Sequence, residues 1–124
     1  MIIGVPKEIK NHEYRVGLTP RSVKEFINHG HKVIVQTNAG VGIGASDDEY
    51  LETGAEIIST AKEVFDKAEM IVKVKEPQAE EIAMLREGQI LYTYLHLAPD
   101  PEQTKGLVES GAICIAYETV TSPR

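Results

Sequence analysis

The sequence predicts a doubly wound α/β domain, a mainly parallel sheet with helices on both faces of the flavodoxin-like or Rossmann-like kind. One observation is that short apolar segments of strand character alternate along the whole chain with segments whose apolar residues recur at helical spacing. Another is that Gly30, Gly54, Gly88 and Gly111 each close a helical segment and are soon followed by a strand. Glycine accepts the left-handed conformation that ends many helices, so these positions mark short helix-to-strand turns. Such turns between consecutive units imply parallel strands joined by right-handed crossovers.

Ile2 to Val5 forms the first strand, which Pro6 ends. Lys7 to Leu18 has neither helical nor strand periodicity and carries Lys7, Lys10, His12 and Arg15, so it reads as a long loop at a strand end. Thr19 and Pro20 then supply the N-cap and first position of a helix whose apolar stripe is Val23, Phe26 and Ile27. The second strand is H-K-V-I-V-Q-T, directly after Gly30. A glycine-rich loop, Asn38 to Ala45, leads to Ser46 and Glu49, the capping box of a short helix ending at Gly54. Ala55 to Ser59 is a short third strand. Thr60 and Glu63 make another capping box, for a helix through Val64, Phe65 and Ala68 that delivers the chain to strand four, M-I-V-K-V-K. Pro77 starts a helix carrying Ile82 and Leu85, closed by Gly88. The fifth strand, Gln89 to Leu95, is apolar enough to be buried on both faces and runs straight into His96. Asp100, Pro101 and Gln103 have the pattern of an N-cap, first position and capping-box partner for the last helix, and A-I-C-I-A-Y is the sixth strand.

At 124 residues the chain has room for one domain with a real core. Its net charge of -6, with 13 basic residues scattered among 19 acidic ones, argues against a nucleic-acid or anionic-membrane partner and for a small diffusing ligand. The lone Cys114 falls in an apolar run, as a buried core thiol in a reducing compartment would. No leader-like or membrane-length apolar segment stands in the sequence, so a cytoplasmic protein is expected. His12, His29 and His31 read as surface residues and share no ligand spacing with one another or with Cys114, so no metal site is expected.

In a parallel sheet all strand C-termini share one edge. Arg15 after strand one, Lys75 after strand four, His96 after strand five and Glu118 after strand six therefore line a common rim. Arginine offers a planar fork that matches a carboxylate, lysine a point charge that polarises a carbonyl, and histidine a proton donor or acceptor near neutral pH. Together they suit a 2-oxo acid. Two readings stay open for several of them: Arg15 as a ligand clamp or a solvated loop cation, and Lys75, like Lys73 of the same parity, as a ligand contact or a strand-end charge reaching water. Glu8 and Glu118 are either partners of these groups or solvated carboxylates.

Gly40, Gly42 and Ala45 satisfy the dinucleotide fingerprint G-x-G-x-x-G/A between a strand and a helix. Asp47, Asp48 and Glu49 nevertheless crowd the helix N-terminus where a pyrophosphate would sit. About 20 residues on, where the ribose-binding acid belongs, stand Ser59 and Thr60. The loop reads as a flexible turn or a lip over the site, with no cofactor-binding residue assigned.

The segments I-G-V-P-K-E, N-H-E-Y-R-V-G-L-T-P, A-G-V-G-I-G-A-S-D-D-E-Y, V-K-V-K-E-P, Y-L-H-L-A and A-Y-E-T-V, in this order, resemble the N-terminal substrate domain of the alanine dehydrogenase and nicotinamide nucleotide transhydrogenase family. The strand-five motif with His96 is similar to the alanine dehydrogenase form, because transhydrogenases lack this histidine. The resemblance implies that Arg15 and Lys75 hold pyruvate or alanine and that His96 is the catalytic acid/base. The implied reaction is reversible oxidative deamination of L-alanine with NAD and water, giving pyruvate, ammonium and NADH. It also implies a homohexamer. Those enzymes continue into an NAD-binding Rossmann domain, whereas this chain stops at T-S-P-R. Residues 1–124 are thus expected to form an incomplete N-terminal substrate domain, inactive alone, with NAD bound mainly by the missing domain. A transhydrogenase alpha subunit is the alternative within the family. A receiver-type signalling module of similar length would need an acidic pair after strand one and an aspartate after strand three, where this chain has Pro6-Lys7-Glu8 and Ser59-Thr60.

Overall fold

A computed structural model of the chain describes residues 1–10, 12–93 and 101–116. The strands are β1 (Ile2–Val5), β2 (Lys32–Gln36), β3 (Glu56–Ile58), β4 (Met70–Val72), β5 (Ile90–Thr93) and β6 (Ile113–Ala116). The helices are α1 (Pro20–Asn28), α2 (Asp47–Glu52), α3 (Ala61–Lys67), α4 (Ala79–Ile82) and α5 (Pro101–Ser110), with a 3-10 turn at Val41–Ile43. All pairings are parallel, and the order across the sheet is β3-β2-β1-β4-β5-β6. The chain winds outward from β1 to β3, then crosses back to place β4 on the other side of β1. That reversal opens a crevice at the C-terminal ends of β1 and β4, where doubly wound sheets hold their ligands.

Alternation along the central strands divides the core. Ile3, Val5, Val33, Val35 and Val72 point to one face with Val23 of α1 and Tyr50 of α2. Ile34, Ile71 and Leu91 point to the other with Val64 and Phe65 of α3 and Leu107 of α5. Burial of a side chain of this size stabilises the fold by about 1.5–3 kcal/mol, so both faces contribute.

Local rules place most of the boundaries. Thr19, Ser46 and Thr60 each accept from the main-chain N–H three residues on, and at Ser46 the reciprocal bond from Ser46 N–H to Glu49 Oε1 completes the capping box. The four predicted helix-ending glycines all have positive φ, from 75° to 102°. Two elements are shorter than predicted. β4 stops at Val72 instead of continuing to Lys75, and α4 begins at Ala79 instead of Pro77. Gln78 N–H donates to Glu81 Oε1 at 2.9 Å, which sets the start of α4 two residues later.

Two expectations about burial are corrected. Cys114 is only half-buried, since β6 is the edge strand, and burial still raises its thiol pKa. His31 is partly buried, with its ring against Phe26 at 6.0 Å between centroids. His12 and His29 are exposed. Among the described residues no helix is long and apolar enough to cross a membrane.

Candidate functional site

The loop after β1 and the segment after β4 form the two walls of the switch crevice. They are locked together at Gly17, where a Cβ would stand 2.3 Å from the Val72 carbonyl oxygen. Only glycine lets the loop return this closely over the end of β4.

Beyond Val72 the chain leaves the sheet because its amides find another acceptor. Lys73 N–H still reaches Tyr92 O of β5 at 3.1 Å. Val74 N–H instead donates to Glu8 Oε2 at 2.8 Å, and Lys75 N–H to Glu8 Oε1 at 3.3 Å. Glu8 thus does for this segment what a neighbouring strand would do. Its charge is met by the Lys73 ammonium, which donates to Glu8 Oε1 at 2.9 Å and to the Lys75 carbonyl at 2.8 Å. Glu81 Oε1 lies 3.5 Å from the same ammonium. The side chains of Lys73, Glu8 and Glu81 are 1%, 2% and 2% exposed. The reading of Lys73 as a charge reaching water and of Glu8 as a solvated carboxylate is therefore overturned. Burial pushes the Glu81 carboxyl above its ordinary range, and the Lys73 charge opposes this only in part.

Arg15 stands on the same loop but in a different setting. Its Nε and Nη2 each donate to the Glu13 carboxylate at 3.0 Å, and its main-chain N–H does so at 2.8 Å. The Arg15 side chain is 60% exposed. Hydrogen bonding from Arg15 is the main reason the Glu13 carboxyl is held below its ordinary value, and the positive charge of Lys75 acts in the same direction. Arg15 is thus bound directly to this carboxylate, while Lys75 acts on it only as a weaker, longer-range positive charge. A guanidinium fork with a second positive charge in its neighbourhood can hold the carboxylate of a small acid.

The glycine-rich loop closes the far side. Lys7, Glu13, Arg15, Asn38 and Val41 line a cavity of about 270 Å³ between it and the β1 loop. A Cβ on Gly42 would stand 2.1 Å from Tyr14 O, so this loop is seated on the segment between Glu13 and Arg15. Its other end is tied down by Asp47, which accepts from Thr37 Oγ1 at 2.5 Å and Asn38 N–H at 2.9 Å. Tyr50 anchors it from below: the phenol donates to Leu18 O at 2.8 Å, and burial pushes its pKa up to about 12. With Ser46 and Glu49 capping α2 and Asp47 committed to the loop, this segment does not fit a dinucleotide. A larger concavity of about 650 Å³ lies between α4 and α5, lined by Glu76, Glu102 and Glu109 and with Lys10 as its cation. Its lining lacks Arg15, which lines the smaller crevice, so the smaller crevice is the candidate site; Lys75 is among the lining residues of neither.

His96, Asp100 and Glu118 lie outside the described residues. β5 ends at Thr93, whose hydroxyl donates to the Lys75 carbonyl at 2.8 Å. Of the residues that organise the crevice walls, the sequence left Glu13 unassigned. Lys73 carried a signal, since it shares parity with the buried Ile71. Glu8 stood in the sequence as either a partner of these groups or a solvated carboxylate, and its bonds to residues 65 to 67 positions away decide for the first.

A six-stranded, all-parallel sheet whose strand order reverses between β1 and β4 defines an α/β domain of the doubly wound class. Residues 4–124 match the family described as Alanine dehydrogenase/PNT, N-terminal domain, and the chain belongs to it. An alanine dehydrogenase from Methanococcus maripaludis is 58% identical over 120 residues, covering 97% of this chain and 32% of that protein. A solved L-alanine dehydrogenase structure superposes with a TM-score of 0.95 at 49% identity, covering 99% of this chain and 34% of that one. A transhydrogenase from Sinorhizobium meliloti superposes with a TM-score of 0.90 at 30% identity, covering 100% of this chain and 35% of that one. The chain spans about a third of the length of the curated relatives it matches.

Proposed function

We propose that this chain is the substrate domain of an NAD-dependent L-alanine dehydrogenase, which interconverts L-alanine and pyruvate with release or uptake of ammonium. The observation that carries the reading is the Arg15 fork bonded to Glu13 on the wall of the switch crevice, with the charge of Lys75 acting on the same carboxylate from farther off. In this reading Arg15 fixes the substrate carboxylate. Lys75 polarises the carbonyl oxygen, and His96 moves protons as the carbinolamine and imine form and collapse. NAD is held mainly by a separate Rossmann domain, since the glycine-rich loop of this chain is committed to its own caps. The protein acts in the cytoplasm as a homohexamer. Its alanine dehydrogenase relatives, at up to 58% identity, support this over the transhydrogenase reading, where the likeness is 30%.

The test is alanine-dependent NADH formation by the protein from the complete reading frame, assayed beside the 124-residue chain and a His96→Ala variant. The expected result is activity in the full protein and none in the 124-residue chain. In His96→Ala, turnover should fall by about 10²–10⁴-fold with far less change in pyruvate binding. Equal losses of turnover and binding would remove His96 from its role. An inactive full protein that still binds NADH would favour the transhydrogenase reading.

A further inference from the structure

Lys73 is a buried cation for which the proposed reaction has no use. An ammonium at this depth is costly unless it is paired and hydrogen-bonded. A buried ion pair is also seldom needed for stability, because apolar side chains of similar volume often serve as well. The position of this pair is informative. Past the end of β4 no strand holds the chain, yet the Lys75 peptide is bonded at both ends: its N–H to Glu8 Oε1, and its carbonyl to Lys73 Nζ and Thr93 Oγ1. Lys73 is itself bonded to Glu8 and backed by Glu81 at 3.5 Å, so the ammonium that grips Lys75 cannot drift.

We propose that Lys73 and Glu8 are positioning residues for Lys75, holding its peptide from both ends so that its side chain faces the Arg15–Glu13 pair across the switch crevice. The inference rests on the reading of Lys75 as a substrate contact. It explains why two charges are buried here: ionic bonds to a single carbonyl and to successive amides select one path for a segment that no ladder constrains. Thr93 extends the device. It ties the same carbonyl to β5, so the segment after β4 has a second fixed point.

The experiment uses the protein from the complete reading frame, with KM for pyruvate and for NADH measured separately and melting followed by circular dichroism. Lys73→Met should raise KM for pyruvate by about ten- to hundredfold, as expected for a shift of about 1 Å at a substrate contact, while KM for NADH stays close to wild type. Glu8→Gln keeps an acceptor oxygen for one of the two amides and removes the charge that pairs with Lys73, and should move KM for pyruvate in the same direction by less; it serves if Lys73→Met does not fold. Lower melting with KM for pyruvate unchanged, or equal rises in both KM values, would overturn the inference and leave the pair a structural element only. Lys75→Ala separates the two levels. If it raises KM for pyruvate while Lys73→Met and Glu8→Gln do not, the inference falls and the substrate reading stands. If Lys75→Ala leaves KM for pyruvate unchanged, both fall.

Discussion

Glu13 with Arg15 and Glu81 with Lys73 are carboxylate–cation contacts on the two walls of one crevice, yet their carboxyls shift in opposite directions. Glu13 is held below the ordinary value of 4.5, chiefly by hydrogen bonds from Arg15, whose side chain is 60% exposed. Glu81 is pushed above the same value because burial outweighs the pull of Lys73, and Glu8, already bound to that ammonium, adds repulsion. Where water reaches the cation, pairing wins; where it does not, desolvation wins. The Arg15–Glu13 pair is wet only on its arginine side, Glu13 being 4% exposed, and it is on that side that a ligand carboxylate can reach the fork. The dry cluster has no such side, and it suits holding the backbone still.

The sharpest way to break this contrast is to remove the buried cation. Lys73→Met should destabilise the chain by about 3–5 kcal/mol, because Glu8 is left buried without its counter-charge. Urea unfolding measures this, and a loss below about 1 kcal/mol would mean the cluster is wetter than its 1–2% exposure implies.

A smaller effect tests the upward shift of Glu81. Between pH 4.5 and its raised folded value the unfolded chain releases a proton that the folded chain keeps. Its stabilising contribution is therefore complete below pH 4.5 and is lost as pH rises through the folded value, at up to about 1.4 kcal/mol per pH unit. Glu81→Gln should match wild type at the acid end and gain on it as pH rises. Parallel stability curves would refute the shift.

The smallest expected change is at Arg15, whose side chain is 60% exposed although Glu13 is only 4% exposed. Arg15→Ala should cost less stability than Lys73→Met while weakening pyruvate binding in the full protein, as urea unfolding and KM for pyruvate will show. Its pH dependence has the opposite sign: the lowered Glu13 contributes above pH 4.5 and loses that contribution as pH falls through its folded value. A stability loss at Arg15 as large as that at Lys73 would erase the distinction between clamp and scaffold.

Much of the fold was legible because its signals are local. Thr19, Ser46 and Thr60 sit at helix N-caps, and Gly30, Gly54, Gly88 and Gly111 take the left-handed conformation. The errors fall where a distant carboxylate competes with local preference. V-K-V-K reads as strand to its end, but Glu8 captures the amides of Val74 and Lys75. Pro77 is a good first helical residue, but Glu81 turns inward and caps at Gln78 instead. At the crevice, the positions of Arg15 and Lys75 beyond the ends of β1 and β4 were legible from the strand pattern. Glu13, which Arg15 binds, looks in sequence like any loop acid.

By itself, then, the sequence determined where elements begin and end, that the strands run parallel, and which loops meet at the ligand edge. Those properties follow from interactions within a few residues and from the handedness of the chain. Only the tertiary structure decided which charges are dry. Lys73, Glu8 and Glu81 acquire their environment from segments far apart in the chain, and the free energy of a charge depends on what surrounds it in space rather than on its neighbours in sequence.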